Sequence, residues 1–330
     1  MLNKHVKSPC CGVRVIRYGG KRRQCVRCLK TWRIRRSRRG RKFLRVKINY
    51  VRKVFLNGLA IRRIPTTARI TDSAVGKRFS AALDRIMLRP RRYRMPGGRL
   101  ILLVDAQWHY FKRKLWTLYF IAVRSTDKEE ATILNPILKS GKENLNNWLA
   151  VIDNLPDSIK KRLIAAVSDG LPGLNNVFRK RGWIVQRCHF HLIAELQKRR
   201  ARKRNLPGKS VREAAYQIIR ELLVTISASR KNFLVRRLGQ ISNDPECPSK
   251  IKMITREFVR CLDEFHAYLK YPEMNLPNTN NLMESVGSLV RNRSLKLRTP
   301  AAWHKWATAT IRFHPKFVCK RAKIPTELIP

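Results

Sequence analysis

Apolar positions change their period along this chain, and each change marks a different kind of element. From Phe43 onward, Val46, Ile48, Val51, Val54, Phe55 and Leu59 recur at roughly three to four residues, which predicts a helix. The segment from Gly58 to Arg69 reads as the end of that helix, a turn and a new start. Thr71, Asp72 and Ser73 then supply capping residues before a second helix over Ala74–Leu83. Pro90, Pro96, Gly97 and Gly98 punctuate the chain, and the pattern turns to continuous apolar runs. Leu100 to Val104 closes on Asp105, and Leu163 to Ser168 closes on Asp169; both predict buried strands with a carboxylate at the C-terminal end. Between them lie aromatic-rich stretches at Trp108–Phe111 and Leu115–Val123, a short strand near Ala131–Leu134 and a helix near Glu143–Ile152. A helix from about Leu171 to Lys180 and a strand over Trp183–Gln186 follow. From Leu192 to Tyr271 the period is helical again. One face carries Ala214, Ile218, Leu222, Leu223 and Ile226, another Ile251, Ile254, Phe258, Leu262 and Phe265. Trp303, Trp306, Phe313 and Phe317 recur at helical intervals near the end; core packing accounts for them most simply, with stacking on a DNA base as the sharper alternative.

These elements divide the chain into residues 1–36, a small helical, helix-turn-helix-like unit over 37–95 whose second helix reads as a recognition helix, and an α/β unit over 96–330 with an all-helical insertion at about 192–275. Three strands in a meander, then a helix and further strands, is the ribonuclease H-like order. A third acid, Glu284, lies on a helix whose cap is Thr279 or Asn280. Val286, Leu289 and Val290 on that helix face the sheet, and Arg291, Arg293, Lys296 and Arg298 are placed to meet phosphate.

Charge narrows the choice of partner. The formal net charge is +52, from 73 Lys and Arg against 21 Asp and Glu in 330 residues, and self-repulsion of that size calls for a polyanion. Double-stranded DNA is the leading partner. An acidic membrane surface is the rival, but the chain has no uninterrupted apolar stretch of about 18 residues and no signal peptide, so a soluble, cytoplasmic, nucleoid-associated protein is expected. No acidic residue precedes Asp72. In that half the basic linker with Arg35, Arg36, Arg38, Arg39, Arg41 and Lys42, and Lys77 and Arg78 on the second helix, form the expected DNA footprint.

Cysteines add a metal. Cys25 and Cys28 have the two-residue spacing of a zinc knuckle, and Lys30-Thr31-Trp32 resembles the strand that leaves a zinc ribbon. A segment of about 30 residues hardly folds without such an ion. The companion cysteines, Cys10 and Cys11, are adjacent, so His5 is an alternative for one of them. Cys188 and His191 share a helix face and form either an auxiliary metal site or a packed thiol with a hydrogen-bonded imidazole; His189 is the alternative to His191. Cys247, Cys261 and Cys319 show no metal spacing.

Ser168-Asp169-Gly170, the run Gln186-Arg187-Cys188-His189-Phe190-His191 and Thr279-Asn280-Asn281 ahead of Glu284 together carry a family resemblance. The chain resembles bacterial insertion-sequence transposases of the DDE type, in the broad group that includes the Mutator-like elements, from the ribbon to the final helices. The resemblance implies a ribonuclease H-like catalytic domain with a helical insertion, cutting and joining transposon ends, and at least a dimer in synapsis. Chemistry points the same way: activating one oxygen and stabilising another suits two Mg²⁺ or Mn²⁺ ions, with Asp105 bridging, Asp169 on one and Glu284 on the other. Glu264 and Glu273 are the substitutes for Glu284. The rival functions are a transposase-derived DNA-binding protein without catalysis and a basic RNA-binding protein.

Overall fold

The computed structural model describes residues 7–19, 22–33, 46–65, 71–91, 93–201, 208–294, 297–314 and 316–322. Strands β1 (Val15–Tyr18), β2 (Arg22–Cys25) and β3 (Thr31–Arg33) form a small antiparallel sheet. Helix α1 (Ile48–Asn57) closes with Gly58 in the left-handed conformation, φ 69°, a stop that glycine takes without steric cost. Helix α2 (Asp72–Met87) is capped as expected, the Thr71 hydroxyl accepting from the Ala74 amide at 3.3 Å. Residues 66–70, part of the predicted turn, lie outside the described residues.

The large sheet contains β4 (Leu100–Phe111), β5 (Lys114–Ser125), β6 (Glu130–Ile133), β7 (Ile137–Ser140), β8 (Leu163–Ser168), β9 (Ile184–Arg187) and β10 (Phe317–Val318). Its order is β10-β6-β5-β4-β8-β9, with β7 also on β5; β4, β5 and β6 pair antiparallel, while β4, β8 and β9 run parallel. One expectation is corrected here. Asp105 does not end its strand: β4 runs on for six residues, and the two aromatic-rich stretches are the arms of one long hairpin with β5, turning at Lys112 and Arg113, both at positive φ. What stops near Asp105 is the partner. Parallel pairing with β8 ends at Leu103↔Val167, so β4 is an open edge from there outward.

Helices α3 (Leu145–Asp153), α4 (Asp157–Lys160) and α5 (Leu174–Lys180) cover one face of this sheet, where Leu100, Leu102 and Val104 meet Trp148, Ile152 and Phe178. The chain then forms α6 (His189–Ala201), α7 (Lys209–Leu222), α8 (Ala228–Asn243), α9 (Ser249–Arg260), α10 (Leu262–Phe265) and α11 (Ala267–Lys270), which enclose a separate core. The helical period predicted from Leu192 to Tyr271 is therefore seen as helices, although on α7 the buried alanine is Ala215 and Ile226 falls beyond the helix end. Helices α12 (Asn281–Ser294) and α13 (Pro300–Phe313) cover the other sheet face, packing Met283, Val286, Val290 and Trp303 on Ile101, Leu103 and Phe120. Among the described residues no helix is long and apolar enough to cross a membrane.

Helix α13 is apolar on two sides. Trp303, Ala307 and Ile311 face the sheet, whereas Trp306, Ala309 and Phe313 complete the core of α1 and α2. Phe55 stacks 5.4 Å from Phe313 and lies 4.8 Å from Trp306, ring to ring. The terminal aromatics are thus core residues, and the small helical unit is built onto the end of the α/β unit. Phe55→Ala is expected to destabilise that junction by about 3–5 kcal/mol, read as a lower denaturant midpoint for release of α1 and α2 while the sheet signal persists.

Candidate metal and acid site

Three elements deliver the acids. Asp105 projects from β4 toward the α12 face, in register with Phe120, and accepts the Ala106 amide at 2.8 Å. Asn280, whose carbonyl accepts the Glu284 amide at 3.2 Å, pins the start of α12 to β4 through its own side-chain amide, which donates to the Val104 carbonyl at 2.8 Å. Glu284 follows in the first helical turn, where the helix dipole favours a carboxylate. The Cys188–His191 stretch binds these pieces together. The Cys188 amide donates to the Ser168 carbonyl at 2.9 Å, its buried sulfur accepts the Asn280 amide at 3.1 Å, and the His189 amide donates to the Asn278 carbonyl at 2.9 Å.

The two histidines then part. His189 is buried, donates through Nε2 to the Phe265 carbonyl at 2.9 Å, and burial pushes its pKa down to about 4, so it stays neutral and anchors the insertion. His191 turns to the acids, its Nε2 lying 2.9 Å from Glu284 Oε1. One ligand atom each from Asp105, His191 and Glu284 falls within 4.8 Å of the others. Cys188 is not in that group and serves as a packed thiol beside the imidazole.

Electrostatics show how the cluster carries its charge with no ion bound. Burial, then the charges of Glu284 and Asp169, push Asp105 up to about 7 against the opposing pull of His191. Burial works against a charged His191, but the Cys188 thiol and the Glu284 carboxylate beside it win and raise its pKa. The same hydrogen bond holds Glu284 below its ordinary value. Asp105, Glu284 and, once it sheds its proton, His191 each offer one ligand atom to a shared metal ion.

Asp169 follows β8 directly, is exposed, and stands outside the 4.8 Å group. It lines a cavity of about 700 Å³ between the acid end of the sheet and the insertion, together with Arg187, His191, Lys250, Met253 and Phe258. Gly170 beside it has φ +95°, and a Cβ there would lie 2.0 Å from the Arg187 guanidinium. That guanidinium stacks over Phe265 and pairs with Glu257 at 2.9 Å, so it has little room to retreat. Gly170→Ala is expected to cost about 1–3 kcal/mol through strained backbone and a displaced Arg187, measurable as a lower urea midpoint.

The substitutes for Glu284 are elsewhere: Glu264 pairs with Arg179 and accepts from Asn175 at 2.7 Å, and Glu273 is exposed on a short 3₁₀ turn. Sequence reasoning missed Glu143, which accepts the Trp148 indole N–H at 2.7 Å; burial raises its pKa, and the charge of Asp169 adds to the rise. It also missed the structural work of Asn280, for which the only signal was its place ahead of the helix.

At the other end of the chain Cys10, Cys11, Cys25 and Cys28 bring their sulfurs within 4.8 Å of one another and can hold a metal ion such as zinc. The Ser8 hydroxyl shapes the first turn by accepting from Cys11 and Val13, and Gly12 at φ +62° lets adjacent cysteines face one point. Leu29 at φ 55° closes the second turn, its amide donating to the Cys25 carbonyl at 3.0 Å. Cys25 is driven down to about 6 by the Ser8 hydroxyl and neighbouring amides, while Cys11, beside Cys28, is pushed up to about 12. Four thiols crowded this closely resist joint ionisation unless a cation shares them. His5, Arg35, Arg36, Arg38, Arg39, Arg41 and Lys42 lie outside the described residues, as does the side chain of Arg293. Lys77 is exposed and Arg78 half-buried on α2, and Arg291 is exposed at the last turns of α12. No family model matches the chain, and no curated protein is detectably similar to it.

Proposed function

We propose that the protein is a DDE-type DNA transposase that binds transposon terminal repeats and carries out metal-dependent strand cleavage and strand transfer. The observation that carries this reading is the convergence of Asp105, Glu284 and His191 at the end of a mixed sheet, with Asp169 at the adjoining strand end. The strand order, antiparallel on one side of β4 and parallel on the other, supports a ribonuclease H-like fold with the helices α6–α11 as its insertion.

In this reading Asp105, Glu284 and His191 would hold a divalent ion, Mg²⁺ or Mn²⁺, with Asp169 available for a second. Such ions polarise the phosphate and stabilise the entering and leaving oxygens. The chain itself does the positioning. Asn280 fixes the offset between β4 and α12, Cys188 fixes that of β8, and His191 holds the Glu284 carboxylate turned toward Asp105. Cys10, Cys11, Cys25 and Cys28 would hold zinc and so fold the first sheet, presenting its basic face to duplex DNA alongside α2. A charge of +52 supplies the affinity for two DNA ends, and we expect at least a dimer to bring them together. The test is Mg²⁺- or Mn²⁺-dependent nicking of a labelled duplex carrying the element's own terminal repeats. Nicking by the parent supports the reading; tight binding with no nicking under either ion refutes the enzyme and leaves a DNA-binding protein.

A further inference from the structure

The hairpin of β4 and β5 carries a surface feature that the acid site does not use. Beyond Leu103, β4 has lost its β8 neighbour, and alternate residues of its outer half place Trp108 and Tyr110 on the face opposite Asp105. Trp108 is 60% exposed and Tyr110 57%, and their rings meet edge to face at 6.0 Å. Trp108 is the single exposed tryptophan of the chain's seven; the others are buried or half-buried. Two large, adjacent aromatic faces left in water contribute no burial to the fold, and such a patch marks a surface for a partner. The strand ends in Lys112, Arg113 and Lys114, all exposed, so the aromatic pair is bordered by three positive charges.

Stacking faces beside a cationic turn fit an unpaired nucleic-acid strand, whose bases offer π faces and whose phosphates seek charge. A duplex offers these rings less, because its bases are already stacked on one another. Trp108 lies three residues beyond Asp105, about 10 Å along an extended strand. The rings lie on the other face of β4, so an unpaired strand leaving the acid cluster reaches them by crossing the β4 edge that β8 leaves open beyond Leu103. We infer that Trp108 and Tyr110, with Lys112, Arg113 and Lys114, form a stacking platform for single-stranded DNA next to the acid site. Taking that strand as DNA rests on the function proposed above.

Binding of the full-length chain to a blunt duplex and to the same duplex with a single-stranded overhang of about ten nucleotides tests this, without added divalent ions. The parent is expected to prefer the overhang, with quenching of Trp108 emission. Trp108→Ala and Tyr110→Ala are each expected to weaken overhang binding about tenfold while blunt-duplex affinity stays constant, and Trp108→Phe keeps most of the preference but loses the quench. Both side chains are exposed, and an unchanged thermal midpoint checks that the variants are folded. A parent with no overhang preference, a preference that survives both alanines, or aromatics that instead mediate self-association overturns the inference. Because these experiments read binding alone, they separate from the cleavage test. A chain that never cuts DNA but loses its overhang preference in Trp108→Ala keeps the platform and loses the enzyme; cutting that depends on Asp105, with an overhang preference indifferent to both aromatics, does the reverse.

Discussion

Asp105→Asn is expected to reduce metal-dependent nicking by about a thousandfold or more, roughly 4 kcal/mol of transition-state stabilisation, while DNA binding is retained. Asparagine keeps the size of the side chain and its oxygen toward the Ala106 amide, so loss of activity reports loss of charge rather than of packing. Glu284→Gln is expected to match it. His191→Ala should do less to chemistry than to metal affinity, because it leaves both carboxylates in place but removes the partner that orients Glu284. A nicking rate that survives Asp105→Asn would sink the assignment outright.

Stability supplies a second reading of the same substitution. In the ion-free protein the folded state raises the Asp105 pKa to about 7, so this group stabilises the fold most when protonated, below its ordinary value near 4. That contribution is lost as pH rises through 7, where the buried charge must be carried. Asp105→Asn removes the penalty, and the ion-free variant is expected to be more stable than the parent by about 2–4 kcal/mol above pH 7 and equal to it near pH 4. Dead yet more stable is the signature of a site shaped for a cation. A variant that is both inactive and less stable at pH 8 would instead make Asp105 a structural group.

Which parts of this were legible in sequence follows from the range of the forces involved. The β4 and β8 runs, the helices of the insertion and the Thr71 cap are local, set by apolar period and short hydrogen bonds, and they could be read directly. Asp169 and Glu284 were legible as acids at element boundaries, and Asp105 as the acid that closes an apolar run, which proved to lie inside β4. Their grouping was not: whether Asp169 or His191 joins Asp105 depends on how α6 leaves β9, which Cys188 decides through bonds to residues 20 and 92 positions away. The continuation of β4 past Asp105 was hidden because an edge strand tolerates polar and aromatic residues on both faces, which erases the apolar run. The double role of α13 was hidden for the opposite reason. A helix with apolar residues on two sides reads as simply buried, and only the three-dimensional arrangement shows that Trp303 and Trp306 belong to different cores.

Removal of metal should separate the two ends of the molecule. The sheet β1–β3 has three short strands, and its one fully buried apolar side chain is Cys25 itself, so it lacks an apolar core able to offset the entropy of ordering some 27 residues. If Cys10, Cys11, Cys25 and Cys28 hold zinc, the ion supplies on the order of 10 kcal/mol of folding energy to that unit and none to the large sheet. A strong chelator, or Cys25→Ser, is expected to release one zinc per chain and to collapse amide protection over β1–β3 in hydrogen exchange, with protection in β4, β5 and β8 unchanged. Affinity for terminal-repeat duplex should fall at least tenfold, because the basic residues of the unit no longer act as one surface. Cys188→Ser provides the contrast. Its sulfur accepts the Asn280 amide and belongs to no four-thiol group, so its loss should leave zinc content at one per chain and instead lower nicking by loosening α12 against β8. Zinc retained after Cys25→Ser would place the ion elsewhere and leave the four-cysteine cluster as reduced thiols.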